Sequence, residues 1–123
     1  MSLSRRLASA LMLTLPLLAQ AQAQSAGWPS QPLVAVVPFS AGGSVDVAAR
    51  LLMPKLAERL GQPVVVENTV GASGTIATQR VIKAKADGYT LLFGVASPVT
   101  VAPLVAPGRF KYDGLKELLP VVP

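Results

Sequence analysis

The sequence of 123 residues contains neither cysteine nor histidine. Without cysteine, the chain can hold no disulfide, no thiolate metal site and no lipobox. The usual nucleophile–base pairs are missing as well, and the six carboxylates are dispersed without the spacing of an acid–base pair or a metal site. A Gly-x-Ser-x-Gly elbow is also absent. We therefore expect a protein that is not an enzyme and that needs no metal ion or cofactor.

Aromatic residues are scarce, at 5% of the chain, and the six acidic residues are outnumbered by eleven lysines and arginines. Arg5 and Arg6 lie in the leader described below, so the remaining nine basic and six acidic residues leave a charge of +3. The basic residues are scattered, and no aromatic residues alternate with them as they do on base-stacking surfaces. The composition therefore argues against nucleic acid as a partner.

The first 23 residues have the pattern of a secretory signal peptide. Arg5 and Arg6 form its positive region, residues 7–18 its apolar region, and Ala21-Gln22-Ala23 a small-x-small cleavage site. The apolar run of about a dozen residues is shorter than the roughly 20 that span a bilayer. We expect cleavage near Ala23 and export of a mature chain that begins near Gln24. The arginine pair leaves open whether export uses the general or the twin-arginine route.

Two strand-loop-helix units followed by a third strand predict an α/β fold. Residues 33–37 form a β-branched run without polar alternation, which is typical of a parallel strand buried on both faces. Residues 64–67 and 89–94 are the second and third predicted strands, and strands that alternate with helices indicate right-handed β-α-β units around a parallel sheet. The roughly 100 residues after the leader suit one small domain or part of a larger one.

The first helix is predicted over residues 46–60, capped by Ser44 or Asp46, kinked but not broken at Pro54, and ended by Gly61. Its predicted buried stripe comprises Val47, Ala48, Leu51, Leu52, Leu56 and Leu60. The second helix is predicted to end at Asp87-Gly88, with one side lined by Ile76, Ala77, Val81 and Ala84. Five prolines after Ala96 predict an extended or looping tail, and residues 118–122 are the start of a possible further strand.

Three loops should meet at the carboxyl edge of this sheet, where open α/β proteins bind ligands. They are residues 39–46, 68–75 and 94–98, and glycine or serine in each exposes backbone N–H groups next to a helix N-terminus. The first two contain no lysine or arginine, so an anionic ligand would be held by backbone N–H groups, by water and by hydroxyls, namely those of Ser40, Ser44, Ser73 and Thr75.

Structural roles for the same residues remain open at this point. The glycines serve turn geometry with or without a ligand, Asp46 is a candidate helix N-cap, and Asn68 suits an Asx turn. Arg50, one turn into the first helix, is favoured as part of the scaffold.

The order of the motifs resembles the substrate-binding proteins of the tripartite tricarboxylate transporter (Bug/TctC) family. The motifs that carry the resemblance are Trp28-Pro29-Ser30-Gln31-Pro32, Val37-Pro38-Phe39-Ser40-Ala41-Gly42-Gly43-Ser44-Val45-Asp46, Leu60-Gly61-Gln62-Pro63-Val64-Val65-Val66-Glu67-Asn68, Gly71-Ala72-Ser73-Gly74 and Asp87-Gly88-Tyr89-Thr90-Leu91-Leu92. The chain departs from the family pattern at Ala41, where proline is common, at Ser73, where glycine is frequent, and at Pro54.

The resemblance implies a type II periplasmic-binding-protein-like fold and a periplasmic receptor. Such a receptor closes two lobes over a small carboxylate and delivers it to membrane permease subunits, as a monomer when complete. Residues 24–123 would be the N-terminal part of the first lobe, with the second lobe absent, so we expect a truncated receptor. The ligand contacts that the motifs imply are Phe39, Ser40, Ala41, Gly42, Gly43, Ser44, Asp46, Asn68, Gly71, Ala72, Ser73, Gly74 and Ser97.

Two other classes of protein compete with this interpretation. A nucleotide-binding enzyme would use the first Gly-rich turn and Glu67, about 25 residues later, as a dinucleotide fingerprint. The spacing here is Gly-Gly-x-x-Asp, however, and Asp46 would repel a pyrophosphate. A small adaptor would instead pair an exposed sheet edge with a partner protein.

Overall fold

The computed structural model describes residues 27–121, so the predicted signal peptide over residues 1–23 lies outside the described residues. The strands are β1 (Leu33–Val37), β2 (Val64–Asn68) and β3 (Thr90–Leu92). The longer helices are α1 (Ser44–Leu60) and α2 (Thr75–Lys83). Four short segments complete the elements of residues 27–121: a 3-10 turn at Ala72–Gly74, a π-helical turn at Ser97–Val101, α3 (Ala102–Val105) and α4 (Gly114–Glu117). The α/β prediction is confirmed.

The three strands form one parallel sheet in the order β2-β1-β3. Leu33 pairs with Val64 and Val37 with Asn68 on one side of β1, and Val36 pairs with Leu92 on the other. Because β2 and β3 flank β1, right-handed crossovers place α1 and α2 on opposite faces of the sheet. This explains why the central strand reads as a continuous apolar run: Ala35 and Val36, which point to opposite faces, are both fully buried.

The core on the α1 side is built from small and flexible side chains. Ala35 and Val37 of β1 pack against Ala49 and Met53 of α1, and the partly buried residues around them are Val45, Leu56, Val64, Val66 and Phe93. Residues 49 and 53 lie one turn apart on the helix, so they share a face. Alanine at the closest approach lets the helix lie near the sheet, and methionine fills the space beside it.

The predicted buried stripe of α1 is wrong for three of its members. Val47, Leu51 and Leu52 are 47%, 67% and 51% exposed. The helix carries apolar residues on two sides, and the side that faces the sheet begins with the buried Asp46 and continues through Ala49 and Met53. Periodicity identifies both apolar stripes but does not predict which of them packs against the sheet. The stripe that faces the sheet is the one that contains the hydrogen-bonded Asp46.

A glycine flanks each end of α1, Gly43 as the N-cap and Gly61 as the C-cap. Gly43 is the N-cap and makes no side-chain cap, so the predicted capping by Ser44 or Asp46 is wrong: both residues lie inside the first turn. At the other end Gly61 adopts the left-handed conformation (φ 67°) and its N–H donates to the carbonyl of Ala57, as predicted for a C-cap. The helix continues through Pro54 without a break.

The second unit is shorter than predicted. Helix α2 ends at Lys83 rather than at residue 87, because Ala84 is already extended (φ −69°, ψ 163°). Ile76 is 50% exposed and was expected to be buried. The buried residues of this helix are Thr75, Ala77 and Thr78, and the hydroxyl of Thr78 is satisfied by donating to the carbonyl of Gly74 at 3.1 Å.

The tail folds back in helical turns, which corrects the prediction of an extended or looping segment. Pro98 and Pro103 are the second residues of the turns at Ser97–Val101 and Ala102–Val105. Pro98 lies in the first turn of this continuous segment, where a missing N–H costs no hydrogen bond. The hydroxyl of the buried Tyr112 donates to the carbonyl of Pro98. Residues 118–121 form no strand, contrary to the prediction. Across residues 27–121, no helix has the length and apolar character needed to cross a membrane.

Candidate functional site

The three predicted loops meet at the carboxyl edge of the sheet around one buried proline. A Cβ placed on Gly74 would lie 3.1 Å from Cβ of Pro38 and 3.1 Å from Cγ of Pro98, and one on Gly94 would lie 3.0 Å from Cγ of Pro38. Pro38 and Pro98 are themselves fully buried. The prolines were not singled out from the sequence, although they are what the glycines pack against. The predicted convergence of the loops is therefore present in the fold.

The first Gly-rich loop leads into the positive end of α1. Gly42 has a left-handed φ of 80°, and the N–H of Gly43 donates to the carbonyl of Ser40 at 3.2 Å, which closes a tight turn. The first bond of the helix runs from the N–H of Val47 to the carbonyl of Gly43 at 2.9 Å. The N–H groups of Ser44 and Val45, which precede that bond, have no intrahelical acceptor, as expected in a first helical turn.

The second Gly-rich loop, residues 68–75, contains four consecutive residues with positive φ. Gly71, Ala72, Ser73 and Gly74 have φ values of 131°, 46°, 54° and 90°. Two of them are not glycine, and each such residue costs roughly 1–2 kcal/mol in the left-handed region. Strain of this kind is found at sites where backbone groups serve a function. The turn leads directly into α2, so the N–H groups of Ala72 and Ser73 lie beside a second helix N-terminus.

Asp46 is the centre of a hydrogen-bond network that was not foreseen as a unit. Its side chain is 2% exposed. Its Oδ2 accepts from the backbone N–H of Gly42 at 2.8 Å and from Nε of Arg50 at 2.9 Å. Its Oδ1 accepts from Nδ2 of Asn68, also at 2.9 Å. The carboxylate therefore connects the first loop, the second turn of α1 and the end of β2.

Asn68 closes the network on the side of the second loop. Its Nδ2 also donates to the carbonyl of Phe39 at 2.9 Å, and its Oδ1 accepts from Nη2 of Arg50 at 3.2 Å. Asn68 is the last residue of β2, paired with Val37 at the end of β1. It therefore acts between the two loops and does not form the isolated Asx turn that was considered for it.

The network also fixes the charge of Asp46. The hydrogen bond from Arg50 lowers its pKa most, followed by those from the Gly42 N–H and the Asn68 amide, and the result is about 2 instead of 3.8, although burial acts in the opposite direction. The sequence favours a scaffold role for Arg50, and its hydrogen bonds to Asp46 and Asn68 agree with that role. Its side chain is half exposed, at 52%.

The structure places the predicted contact residues as follows. Phe39, Asp46 and Asn68 are joined by the hydrogen bonds above. Gly42 also donates to Asp46, and Gly74 is buried against Pro38 and Pro98. The other residues lie at least partly exposed in the loops at the same edge: Ser40, Ala41, Gly43, Ser44, Gly71, Ala72, Ser73 and Ser97. The hydroxyls of the four serines make no hydrogen bond to any group within residues 27–121. No ligand contact of these residues is tested by the structure, so each remains a prediction.

The dinucleotide alternative loses support from the side-chain contacts of Glu67. The dinucleotide interpretation needs Glu67 for a ribose, and Glu67 is instead ion-paired with Arg80, whose Nη1 also donates to the hydroxyl of Thr69 at 2.8 Å. For metal chemistry, the described part of the chain contains no group of three histidine, cysteine, aspartate or glutamate side chains that could hold an ion. One cavity of about 370 Å³ is lined by residues of α2 and of the segment 109–112.

Solved structures place this arrangement in the class of α/β periplasmic binding proteins. A periplasmic transporter structure is 42% identical to the chain with a TM-score of 0.69, over 72% of this chain and 30% of that one. MatC from Rhodopseudomonas palustris with bound malate is 38% identical with a TM-score of 0.70, over 76% and 32% of the two chains.

The family follows from the sequence comparisons. The model of the tripartite tricarboxylate transporter family receptor, TctC, matches residues 48–123. A UPF0065 protein of Bordetella bronchiseptica is 50% identical over 101 residues, which are 82% of this chain and 30% of that protein. The chain belongs to the TctC receptor family, as its motifs indicated. It spans about 30% of the length of the curated relative it matches.

Proposed function

We propose that this chain supplies the carboxylate-binding loops of an extracytoplasmic solute-binding receptor that delivers its ligand to a membrane permease. The observation that carries the proposal is the pair of Gly-rich loops at one sheet edge, each placing backbone N–H groups at a helix N-terminus. Neither loop contains lysine or arginine. Such an edge suits an anion that is recognised by directed N–H groups and by the helix dipoles.

A small dicarboxylate is the substrate class that fits best. The N–H groups of Ser44 and Val45 at α1 and those of Ala72 and Ser73 at α2 form two separate donor groups, one for each loop. The malate bound by the structurally similar MatC supports this class. Backbone N–H groups would contact the carboxylate groups of the ligand and not the atoms between them. The described residues therefore favour small dicarboxylates as a class and do not select one dicarboxylate.

The place of the chain in the receptor and in the cell is part of the same proposal. Residues 1–23 would direct export and be removed near Ala23, and residues 24–123 would form the N-terminal part of the first lobe. Coverage of 30% of the Bordetella bronchiseptica relative supports this placement. The permease subunits would be its partners, and the intact mass of the secreted product tests the cleavage site.

The binding proposal is tested by calorimetric titration of the 123-residue chain with L-malate, using the neutral malamide as the matched ligand control. We expect saturable binding of malate alone, because only an anion gains from the helix termini. Equal heats from malate and malamide, or none from malate, succinate and citrate, would contradict the proposal.

Two variants of Ser44 separate the backbone donor from the hydroxyl. Ser44→Pro removes one N–H at the first helical position, where proline is well tolerated, and the preceding Gly43 (φ −73°, ψ 166°) already has the extended conformation that proline requires. Ser44→Ala keeps the N–H and removes the hydroxyl. We expect about a tenfold weaker affinity for malate in Ser44→Pro, since one charge-assisted hydrogen bond is lost, and less than a threefold change in Ser44→Ala.

A further inference from the structure

We propose that Arg50 is a positioning residue that lets a buried carboxylate hold the first Gly-rich loop without repelling an anionic ligand at the same helix terminus. The inference deepens the proposed carboxylate-binding function and rests on it. The observation behind it is the position of Asp46, an acidic residue in the first turn of α1, beside the N–H groups of Ser44 and Val45.

Asp46 has a clear structural task. It accepts hydrogen bonds from the Gly42 N–H and from the Asn68 amide, and these hold the loop against the end of β2. A neutral amide at this position could not accept in the same way at both oxygens, because one of them would become an NH₂ donor facing other donors. The loop geometry therefore requires an ionised carboxylate close to where a ligand carboxylate would bind.

That carboxylate creates an electrostatic conflict. A helix N-terminus carries about half a positive charge, and one full negative charge beside it exceeds that. A ligand carboxylate arriving at the same terminus would meet net repulsion. Arg50 resolves the conflict because its Nε lies 2.9 Å from Oδ2 of Asp46. The pair is neutral, and the helix terminus with its free N–H groups remains available to the ligand.

Arginine is suited to this position because its fork serves two acceptors. While Nε donates to Asp46, Nη2 donates to Oδ1 of Asn68 at 3.2 Å. That bond orients the Asn68 amide so that its Nδ2 points to Asp46 and to the carbonyl of Phe39. A lysine could neutralise the charge but has no planar fork to hold both partners. Substitution of Arg50 by lysine therefore keeps the positive charge beside Asp46 while it removes the bond that orients the Asn68 amide.

The test is a double-mutant cycle of malate binding on the 123-residue chain. Arg50→Gln should weaken binding about tenfold, the effect of one unit charge at a partly solvated site. Arg59→Gln is the matched control, because it removes the same charge from an exposed position in the last turn of the same helix and should change affinity less than twofold. Circular dichroism checks that each variant is folded.

The combined variant distinguishes charge neutralisation from a purely structural role. Asp46→Asn alone completes the cycle and carries the loss of loop geometry by itself, because its amide cannot accept at both positions. Arg50→Gln should therefore cost less affinity in the Asp46→Asn background, where no charge is left to repel the ligand, than in the parent chain, and added salt should improve binding in Arg50→Gln alone. Arg50→Lys should bind within about threefold of the parent chain while unfolding at a lower temperature.

The results of these binding measurements distinguish a failure of the proposed function from a failure of the role proposed for Arg50. If the parent chain binds none of malate, succinate and citrate, the proposed function falls and the inference falls with it. If the parent chain binds malate and Arg50→Gln binds as tightly as Arg59→Gln, or Arg50→Gln costs as much affinity in the Asp46→Asn background as in the parent chain, the role of Arg50 is refuted while the proposed function stands.

Discussion

Replacing Gly74 with alanine tests whether the three loops are held together around Pro38. Gly74 has φ 90°, and a Cβ there would lie 3.1 Å from Pro38 and 3.1 Å from Pro98. Both prolines are buried and their rings are rigid, so neither can turn aside as a flexible side chain would. We therefore expect the substitution to cost more than its backbone strain alone.

The magnitude has two parts. An L-residue in the left-handed region costs roughly 1–2 kcal/mol, and overpacking a filled site costs roughly 1–3 kcal/mol more. Gly61→Ala isolates the first part, because Gly61 has φ 67° and nothing within 4 Å of the added methyl group. The free energy of unfolding should fall by about 2–5 kcal/mol in Gly74→Ala and by about 1–2 kcal/mol in Gly61→Ala.

The free energy of unfolding of both variants is measured by urea unfolding. The transition is monitored by circular dichroism and by the fluorescence of Trp28, the single tryptophan. Trp28 reports on tertiary structure because its indole N–H donates to the carbonyl of Asp87 and its ring lies 6.0 Å from that of Tyr89. Equal losses in the two variants would refute the reasoning, since the contacts with Pro38 and Pro98 would then carry no cost.

Three further predictions concern charge, strain and packing. The free energy of unfolding should fall as the pH drops from about 4 towards 2: the pKa of Asp46 is about 2 in the folded protein and 3.8 ordinarily, so the unfolded chain binds more protons in that window. Asp46→Asn should flatten this slope, with Asp113→Asn as the control for the other carboxyl of lowered pKa; an unchanged slope would contradict the assignment. Ser73→Gly should raise the free energy of unfolding by about 0.5 kcal/mol, because relief of left-handed strain exceeds the added chain entropy, and a loss would show that Ser73 is not strained. Met53→Ala should cost about 2–5 kcal/mol and Leu51→Ala less than about 0.5 kcal/mol in urea unfolding, whereas the reverse order would restore the predicted stripe.

The strands of this protein could be predicted because their signal is local. Residues 33–37 are apolar without alternation, and the structure assigns the same five residues to β1. Glycine and proline around residues 61–63 end α1 where expected. The tail was harder, because proline disfavours a helix interior but suits a first turn, and local sequence does not say which position it will occupy.

The face of α1 could not be predicted, since two apolar stripes compete. Leu51 and Leu52 are the larger residues, yet Ala49 and Met53 face the sheet. Asp46 lies on the same side of α1 as Ala49 and Met53, and its hydrogen bonds to Asn68 and Gly42 favour the orientation in which that side faces the sheet. Hydrophobicity alone predicts that the stripe with the larger apolar side chains is buried. In the folded protein the buried stripe is the one that begins with the hydrogen-bonded carboxylate of Asp46.

The parallel α/β architecture and membership of the TctC receptor family could be predicted from the sequence, because strand runs, turn glycines and motif order can be recognised without the fold. The convergence of the Gly-rich loops at one edge follows from them by the general rule for parallel sheets. The network of Asp46, Arg50 and Asn68, in contrast, exists only in the folded chain. Asp46 and Asn68 are 22 positions apart, and they meet because the register of β1 and β2 places Asn68 opposite Val37, at the start of the first loop. Hydrogen bonds depend on distance and direction, and both arise only once the sheet has formed.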